Sequence, residues 1–506
     1  MILPLILVLY LLSTAAYRLW LHPVRNYPGP CWWAVWRVPY LKGTIRGTIV
    51  RDIQRLHNQY GPVVRIAPDE LSYITPEAAK PIYTSSPEFP KDPMLLPPFH
   101  NGAPGILAAD YAHHRRYRRL LASAFSEKGL RAQQGMIQSH IDRLMTRLQG
   151  NCSSGSLDMT VWFNWATFDI IGDLAFGEPF GCLERMETNP WIASIQGNVK
   201  SIPILNALRR YRLDRLIEFL APPRLLEMRR RNAQFTAEKV DRRLKHATTT
   251  RGDLWDSVLA DPPDGEPPMS RAEMVSNASA IVLAGSETSA TTLSGCLWLL
   301  LTNPEYLQQL TERIRARFST ATVIDAQTVT QIQGLQAVLD ESLRLYPAVP
   351  MQSNRIVPPP GARLAGSWVP GGTSVAVQQF AACRSPTNFH RPDEFIPERW
   401  EKEGEFINDR REASQPFSIG PRNCIGRQLA LAEMRLILVH LLWHFDIELD
   451  RRRMENMDWM AVQGILDPVG QETAVGCVEE QKYVGTKVFA ALVWMLVLPL
   501  YSLLLY

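Results

Sequence analysis

From Met274 to Leu301 the chain runs for 28 residues with a single charged side chain, Glu287. A run so long and so apolar has to be buried, and Ser270 followed three residues later by Glu273 is a capping box that starts a helix ahead of it. The sequence therefore predicts a long buried helix beginning at Ser270. Helical periodicity dominates most of the rest, with amphipathic stretches from about Arg131 to Leu259 ending in the proline-broken loop Asp261–Ser270. Strand-like pieces lie near both ends of the body. Val63–Ala67 and Glu70–Ile74 predict a hairpin around Pro68-Asp69, while Gly366–Val369 and Thr373–Val377 predict a second strand pair around Pro370-Gly371-Gly372. The pattern is mainly α with small β-sheets, and no internal repeat is visible.

Hydrophobic residues make up 46% of the 506 and charged ones 21%, which supplies a core and argues against global disorder. A formal net charge of +4 is too small for a nucleic-acid-binding protein, whose basic excess is larger and clustered. The seven cysteines, at 31, 152, 182, 296, 383, 424 and 477, form no CxxC pair and no even framework, so neither a zinc site nor a disulfide scaffold is indicated. A reducing compartment fits best.

Residues 1–21 carry no charge except Arg18 and are long enough to span a membrane if Arg18 snorkels at one end. A cleaved signal peptide is the rival reading; Ser13-Thr14-Ala15-Ala16 offers small residues, but the basic n-region is missing. Arg18 and Arg25 at the end of the span and after it place the body on the cytoplasmic side. Residues 22–30, His-Pro-Val-Arg-Asn-Tyr-Pro-Gly-Pro, read as a stiff, helix-breaking hinge. At the other end, residues 488–506 are 19 uncharged residues preceded by Lys482 and Lys487, enough for a second membrane segment.

The chemistry concentrates at Phe417-Ser-Ile-Gly420-Pro-Arg422-Asn-Cys424-Ile-Gly426. A lone intracellular cysteine is more often a small buried hydrophobe, yet each neighbour here has a separate use in holding a thiolate against a flat cofactor. Gly420 and Gly426 permit positive φ or close backbone approach. Arg422 neutralises an acid group, Phe417 shields the sulfur, and a helix predicted from Arg427 would turn its positive N-terminus towards the thiolate. In the central helix, Ala284-Gly285-Ser286-Glu287-Thr288 sets the one carboxylate beside a hydroxyl; the plain alternative is a satisfied glutamate and a threonine bonded to its own helix. Glu341 and Arg344 stand three apart on one helical face. His114 and Arg118 are one helical turn apart in a basic stretch that otherwise reads as an exposed helix face.

Phe-x-x-Gly-x-Arg-x-Cys-x-Gly, (Ala/Gly)-Gly-x-(Asp/Glu)-Thr, Glu-x-x-Arg, Pro397-Glu-Arg399-Trp400 and His-x-x-x-Arg, in this order-specific set, resemble the cytochrome P-450 family over about residues 20–450. Leu21–Pro30, Arg118–Ser126 and Phe395–Trp400 are similar to its fungal microsomal members that tailor secondary metabolites. The resemblance implies a cytochrome P-450 fold: a single catalytic haem domain over 31–480 behind a 1–21 transmembrane anchor and a 22–30 hinge. It implies haem b ligated by Cys424, propionate contacts from His114, Arg118, Arg355 and Arg422, and Phe417 over the sulfur. It further implies Thr288 and Glu287 delivering protons to dioxygen, and a structural charge network of Glu341, Arg344 and Arg399.

The implied activity is a monooxygenase of the endoplasmic reticulum membrane, its catalytic domain on the cytoplasmic face. It would oxidise a hydrophobic small molecule with electrons from NADPH through a cytochrome P-450 reductase, with cytochrome b5 as a further partner. Arg115, Arg116 and Arg119 are expected to present positive charge to that reductase. Met94–Leu107 and Trp191–Leu208 are expected to line the substrate pocket. The apolar end departs from the family, which continues after Asp446–Leu449 into short strands beside the pocket. A misread gene model, a second anchor and a folded tail are the three readings of it. If the strands are missing, the pocket lacks a wall; the alternative readings are a haem-binding remnant disabled by its altered C-terminus and, separately, a haem-thiolate isomerase or dehydratase that needs no reductase.

Overall fold

The computed structural model describes residues 2–94, 101–152, 155–193, 206, 209, 223–245, 251–259, 265–401, 404–450 and 474–478. Its helices include α1 (Ile2–Ala16), α2 (Tyr111–Leu121), α3 (Glu127–Asn151), α4 (Met159–Phe176), α5 (Pro223–Lys245), α6 (Arg271–Thr302), α7 (Leu335–Leu345) and α8 (Arg427–His444). Its strands are β1 (Val63–Ala67), β2 (Glu70–Tyr73), β3 (Leu157–Asp158), β4 (Arg355–Ile356), β5 (Gly361–Leu364), β6 (Ser367–Pro370), β7 (Ser374–Val377), β8 (Asp446–Leu449) and β9 (Ala474–Val478). The chain divides into two compact units. The first draws on residues 2–94 and 349–424, the second on 101–193, 223–348 and 425–478.

In the first unit, α1 and the turn Tyr17–Leu21 that extends it are exposed, and Pro4–Leu21 is long and apolar enough to cross a membrane. Arg18 does not reach outward from the end of this span. It folds back to donate to the Val35 carbonyl at 2.6 Å and lies over the Trp36 ring. The 22–30 segment breaks the helix as its prolines demand, and it is bound down. Val24 is fully buried, the Pro28 carbonyl accepts from the Arg65 amide at 2.7 Å, and the Tyr27 hydroxyl donates to the Trp368 carbonyl.

The hairpin β1–β2 forms as its sequence predicts, with a bulge between Arg65 and Ala67. The second predicted strand pair does not. β6 pairs with β5 across Ala365-Gly366, both at positive φ, the two-residue turn that matches strand twist. β7 instead lies between β2, to which it is parallel, and β4, giving the order β1-β2-β7-β4. Burial explains the choice: all four residues of β7 are buried, as an interior strand requires, whereas β6 exposes Ser367 and Trp368 and suits an edge ribbon.

The second unit is built round α6. The capping box holds as predicted: the Glu273 amide donates to Ser270 Oγ and the Ser270 amide to the Glu273 carboxylate. Small residues let neighbours approach its uncharged flanks. A Cβ on Gly285 would stand 2.9 Å from Ile171 of α4, and one on Gly295 would run into the Tyr346 ring. α4 carries buried acids, and Asp173 receives His140 at 3.0 Å and Arg251 at 2.8 Å. β8 and β9 pair antiparallel and β3 adds to β9. The strands expected to be absent after Asp446–Leu449 are thus represented by Ala474–Val478, while the apolar stretch 488–506 lies outside the described residues.

Candidate active site

Cys424 closes the first unit. Its amide donates to the Phe417 carbonyl at 2.8 Å, and the Asn423 amide to the Gly420 carbonyl at 3.0 Å, so the loop is coiled by its own backbone. Two residues inside it take the left-handed region, Gly420 at φ +77° and Ser418 at φ +56°. Gly420 has no substitute, since a Cβ there would drive into the Tyr83 carbonyl. Gly426 does not share this need: its φ is −84°, and an added Cβ would meet only Phe125, at 3.8 Å. Of the cysteines whose side chains are described, Cys152, Cys182, Cys296 and Cys383 are buried, and Cys424 and Cys31 are exposed.

A cluster of cations lies in the same unit. Arg422 pairs with Glu88 through Nε at 2.8 Å and a terminal nitrogen at 2.6 Å, both side chains being largely buried. Arg355, on β4, is 5% exposed, packs over the Tyr83 ring and donates to Ser353. Its guanidinium is held below its ordinary pKa by burial first and by Arg422 second. Lys91 bridges to Arg355 through the backbone. Burial, then Arg422 and Arg355, push its ammonium down to about 7 against the pull of Glu88. Arg422, Arg355 and Lys91 thus repel one another in a buried place where Glu88 opposes that repulsion, an arrangement that further negative charge would favour. Haem, with two propionates and an iron that takes a thiolate, fits this set beside an exposed Cys424. Lys91 and Glu88 were not legible in the sequence: an isolated lysine and glutamate among prolines and phenylalanine carry no spacing signal.

Thr288 lies on α6 in the second unit, where Thr288 Oγ1 donates to the Ala284 carbonyl at 2.6 Å, the ordinary helical back-bond. Glu287 is half-buried beside it. Gly285, in the same motif, serves contact with α4. His114 is buried and Arg118 half-buried on α2, one turn apart, as the spacing predicts. The other arginines of α2 differ from expectation. Arg116 is paired with Glu273 and Arg119 with Glu266, while Arg115 is exposed with no carboxylate paired to it among the described residues. Their pairing follows from the acid-bearing start of α6, which the linear basic run does not reveal.

Glu341 and Arg344 are fully buried on α7 and joined twice, at 2.7 and 2.8 Å. Arg399 belongs to the first unit, where it pairs with Asp409 and donates to the His390 and Arg391 carbonyls; Asp409 was not anticipated. Of the expected pocket segments, residues 95–100, 194–205 and 207–208 lie outside the described residues. Trp191 proves to be core. It is 5% exposed and stacks on Phe180 and Phe235 at 5.0 and 5.2 Å.

Comparison with known proteins completes the picture. The chain matches the family Cytochrome P450 over residues 27–469, across both units. It is 72% identical to averantin hydroxylase of Aspergillus parasiticus over 453 residues, 90% of this chain and 92% of that one. Identity to averantin hydroxylase of Dothistroma septosporum is 64% over 459 residues, 91% of this chain and 87% of the relative. Versicolorin B desaturase of Aspergillus parasiticus is 42% identical over 450 residues, 87% and 90% of the two chains. An exposed cysteine on a coiled loop, a buried cluster of cations in the same unit and kinship over nine-tenths of the chain converge: this chain belongs to the cytochrome P450 family, as a monooxygenase of secondary metabolism with a thiolate-ligated haem.

Proposed function

We propose that this chain hydroxylates averantin. The observation that carries the reading is the step in identity, 72% and 64% to two averantin hydroxylases from different fungi against 42% to a versicolorin B desaturase. Haem b, when bound, supplies the activation of dioxygen for insertion into a C–H bond, with electrons passed from NADPH by a cytochrome P450 reductase and optionally through cytochrome b5. Cys424 is the iron ligand, with Phe417 shielding its sulfur from water. Arg355, Arg422, His114 and Arg118 hold the propionates, and Lys91 joins them. Thr288 Oγ1, released from the Ala284 carbonyl, hands a proton to the oxygen side of the site and the Glu287 carboxyl resupplies it. Glu341, Arg344 and Arg399 brace the cysteine loop.

Residues 1–21 anchor the chain in the endoplasmic reticulum membrane with the catalytic domain, 31–480, on the cytoplasmic face behind the 22–30 segment. Arg18 and Arg25 support that orientation. The test is reconstitution of the full chain in membranes with reductase and NADPH, with averantin and versicolorin B offered separately. A product of averantin heavier by one oxygen, dependent on reductase, is expected. Conversion of versicolorin B to a product lighter by two hydrogens, with averantin untouched, would move the chain to the desaturases.

A further inference from the structure

The cysteine loop coils on its own backbone, but those internal bonds do not say where in the first unit it sits. That placement is made at Gln415, two residues ahead of Phe417. Its amide donates to Gln379 Oε1 at 3.1 Å, and its carbonyl accepts from Gln352 Nε2 at 2.7 Å and from the Ser418 amide at 2.9 Å. Its side chain is held as well, Nε2 donating to the Glu412 carbonyl at 2.9 Å. Gln379 is fully buried at the start of the short helix Gln379–Cys383, and its Nε2 donates to Cys383 Sγ at 3.0 Å. A backbone amide only donates, so it turns Oε1 towards Gln415 and leaves Nε2 for the sulfur, a weak acceptor; both partners agree on one orientation of the Gln379 amide. Gln352 and Gln379 stand on one platform, because the Phe380 amide donates to the Pro350 carbonyl at 2.9 Å.

On this side the loop is not packed solid. A small cavity touches Tyr83, Gln352, Gln379, Gln415, Ser418 and Ile419. Side chains that border a void lack contacts on one face, so the hydrogen bonds at Gln415, rather than packing, set where the loop begins. The effect reaches the cysteine in two steps. Gln415 fixes Pro416 and Phe417, and the Phe417 carbonyl accepts the Cys424 amide at 2.8 Å. Ser418, in the left-handed region, is tied to the same Gln415 carbonyl. We propose that Gln352 and Gln379 are positioning residues for the Cys424 sulfur: two side-chain amides from outside the loop grip Gln415 and keep Phe417 and Cys424 in register, so that the thiolate stays on the iron. This rests on the reading of Cys424 as the iron ligand.

The readout is the red-shifted Soret band of the reduced carbon-monoxide complex, followed with time at a fixed temperature in the full-length haem protein. Its decay to an unshifted band reports the thiolate leaving the iron, whatever the substrate. Gln352→Met and Gln379→Met should each raise the decay rate about tenfold, the factor expected for one buried partner left unpaired. Gln352→Lys, which keeps a donor within reach of the Gln415 carbonyl, should stay within about threefold of wild type. In every variant the band should be lost ahead of the helical circular dichroism. Wild-type decay in Gln352→Met overturns the proposal, and this half-buried position decides alone if Gln379→Met yields no haem protein. Equal decay in Gln352→Lys and Gln352→Met also overturns it, as does band loss that coincides with unfolding, since each marks a merely structural role. Cys424→Ala separates the two readings: a red-shifted band that survives there sinks the ligand assignment and the proposal with it, whereas wild-type decay in the glutamine variants sinks the proposal alone.

Discussion

The cysteine loop and the Thr288 turn are held by opposite means. The loop depends on backbone in unusual conformations, Gly420 and Ser418 at positive φ, in the same unit as a buried cluster of cations that repel one another. The Thr288 turn is regular helix, its hydroxyl already satisfied by Ala284 and its glycine filled by Ile171. One region is completed by a cofactor. The other is complete by itself, and the proton delivery proposed for Thr288 would require it to give up a bond.

The sharpest way to break the contrast is at the loop. Gly420→Ala should cost about 3 kcal/mol or more, from the left-handed φ and the blocked Tyr83 carbonyl together. It should abolish the red-shifted Soret band of the reduced carbon-monoxide complex, as Cys424→Ala does by removing the ligand; a normal band in Gly420→Ala would show that the loop tolerates rearrangement. Thr288→Ala should do the reverse. Its melting temperature and Soret band should match wild type, within about 0.5 kcal/mol of stability, while product formed per NADPH falls roughly tenfold or more and hydrogen peroxide rises.

The cation cluster gives a pH signature specific to the first region. Because Lys91 titrates near 7 in the fold, below its ordinary 10.5, the unfolded chain binds the extra proton between those values. The Lys91 contribution to the stability of the haem-free protein should therefore rise from pH 7 to pH 9.5, read in thermal melts as the difference between wild type and Lys91→Met. Propionates held at this cluster would restore the charge on Lys91, so haem binding should take up protons and weaken over the same interval in wild type more than in the variant. The smallest effect belongs to the second region. Glu433 on α8, facing Ser289 of α6, is pushed up to about 8 by burial, with the serine hydroxyl opposing. A raised carboxyl contributes stability in full below its unfolded pKa and loses it as pH climbs through 8. Between pH 5 and 7, below the window in which Lys91 acts, wild type should lose stability, and Glu433→Gln should lose less.

Motifs that depend on neighbours in sequence were the readable part. Ser270 and Glu273, Glu341 and Arg344, and His114 and Arg118 lie within one turn of each other, so helical geometry alone brings each pair to one face. What could not be read is set by long-range pairing. β7 chooses β2 over β6 because an interior strand is needed next to a hairpin formed about 300 residues earlier, and no local rule specifies a parallel partner. Arg116 and Arg119 look like a basic face until Glu273 and Glu266 meet them. Of the two freedoms that its place in the motif offers Gly426, positive φ and close backbone approach, the first is not used, and a glycine in a motif does not say which of them is.

The parallel pairing of β2 with β7 also sets a timetable for biosynthesis. Translation at about 5–20 residues per second separates the two strands by roughly 15–60 s. During that interval the β1–β2 hairpin has left the ribosome with one edge lacking its neighbour, and unpaired edges invite wrong partners. The cysteine loop emerges later still. Haem therefore meets a chain that is almost fully synthesised, and the nascent hairpin is where a holding chaperone would matter most.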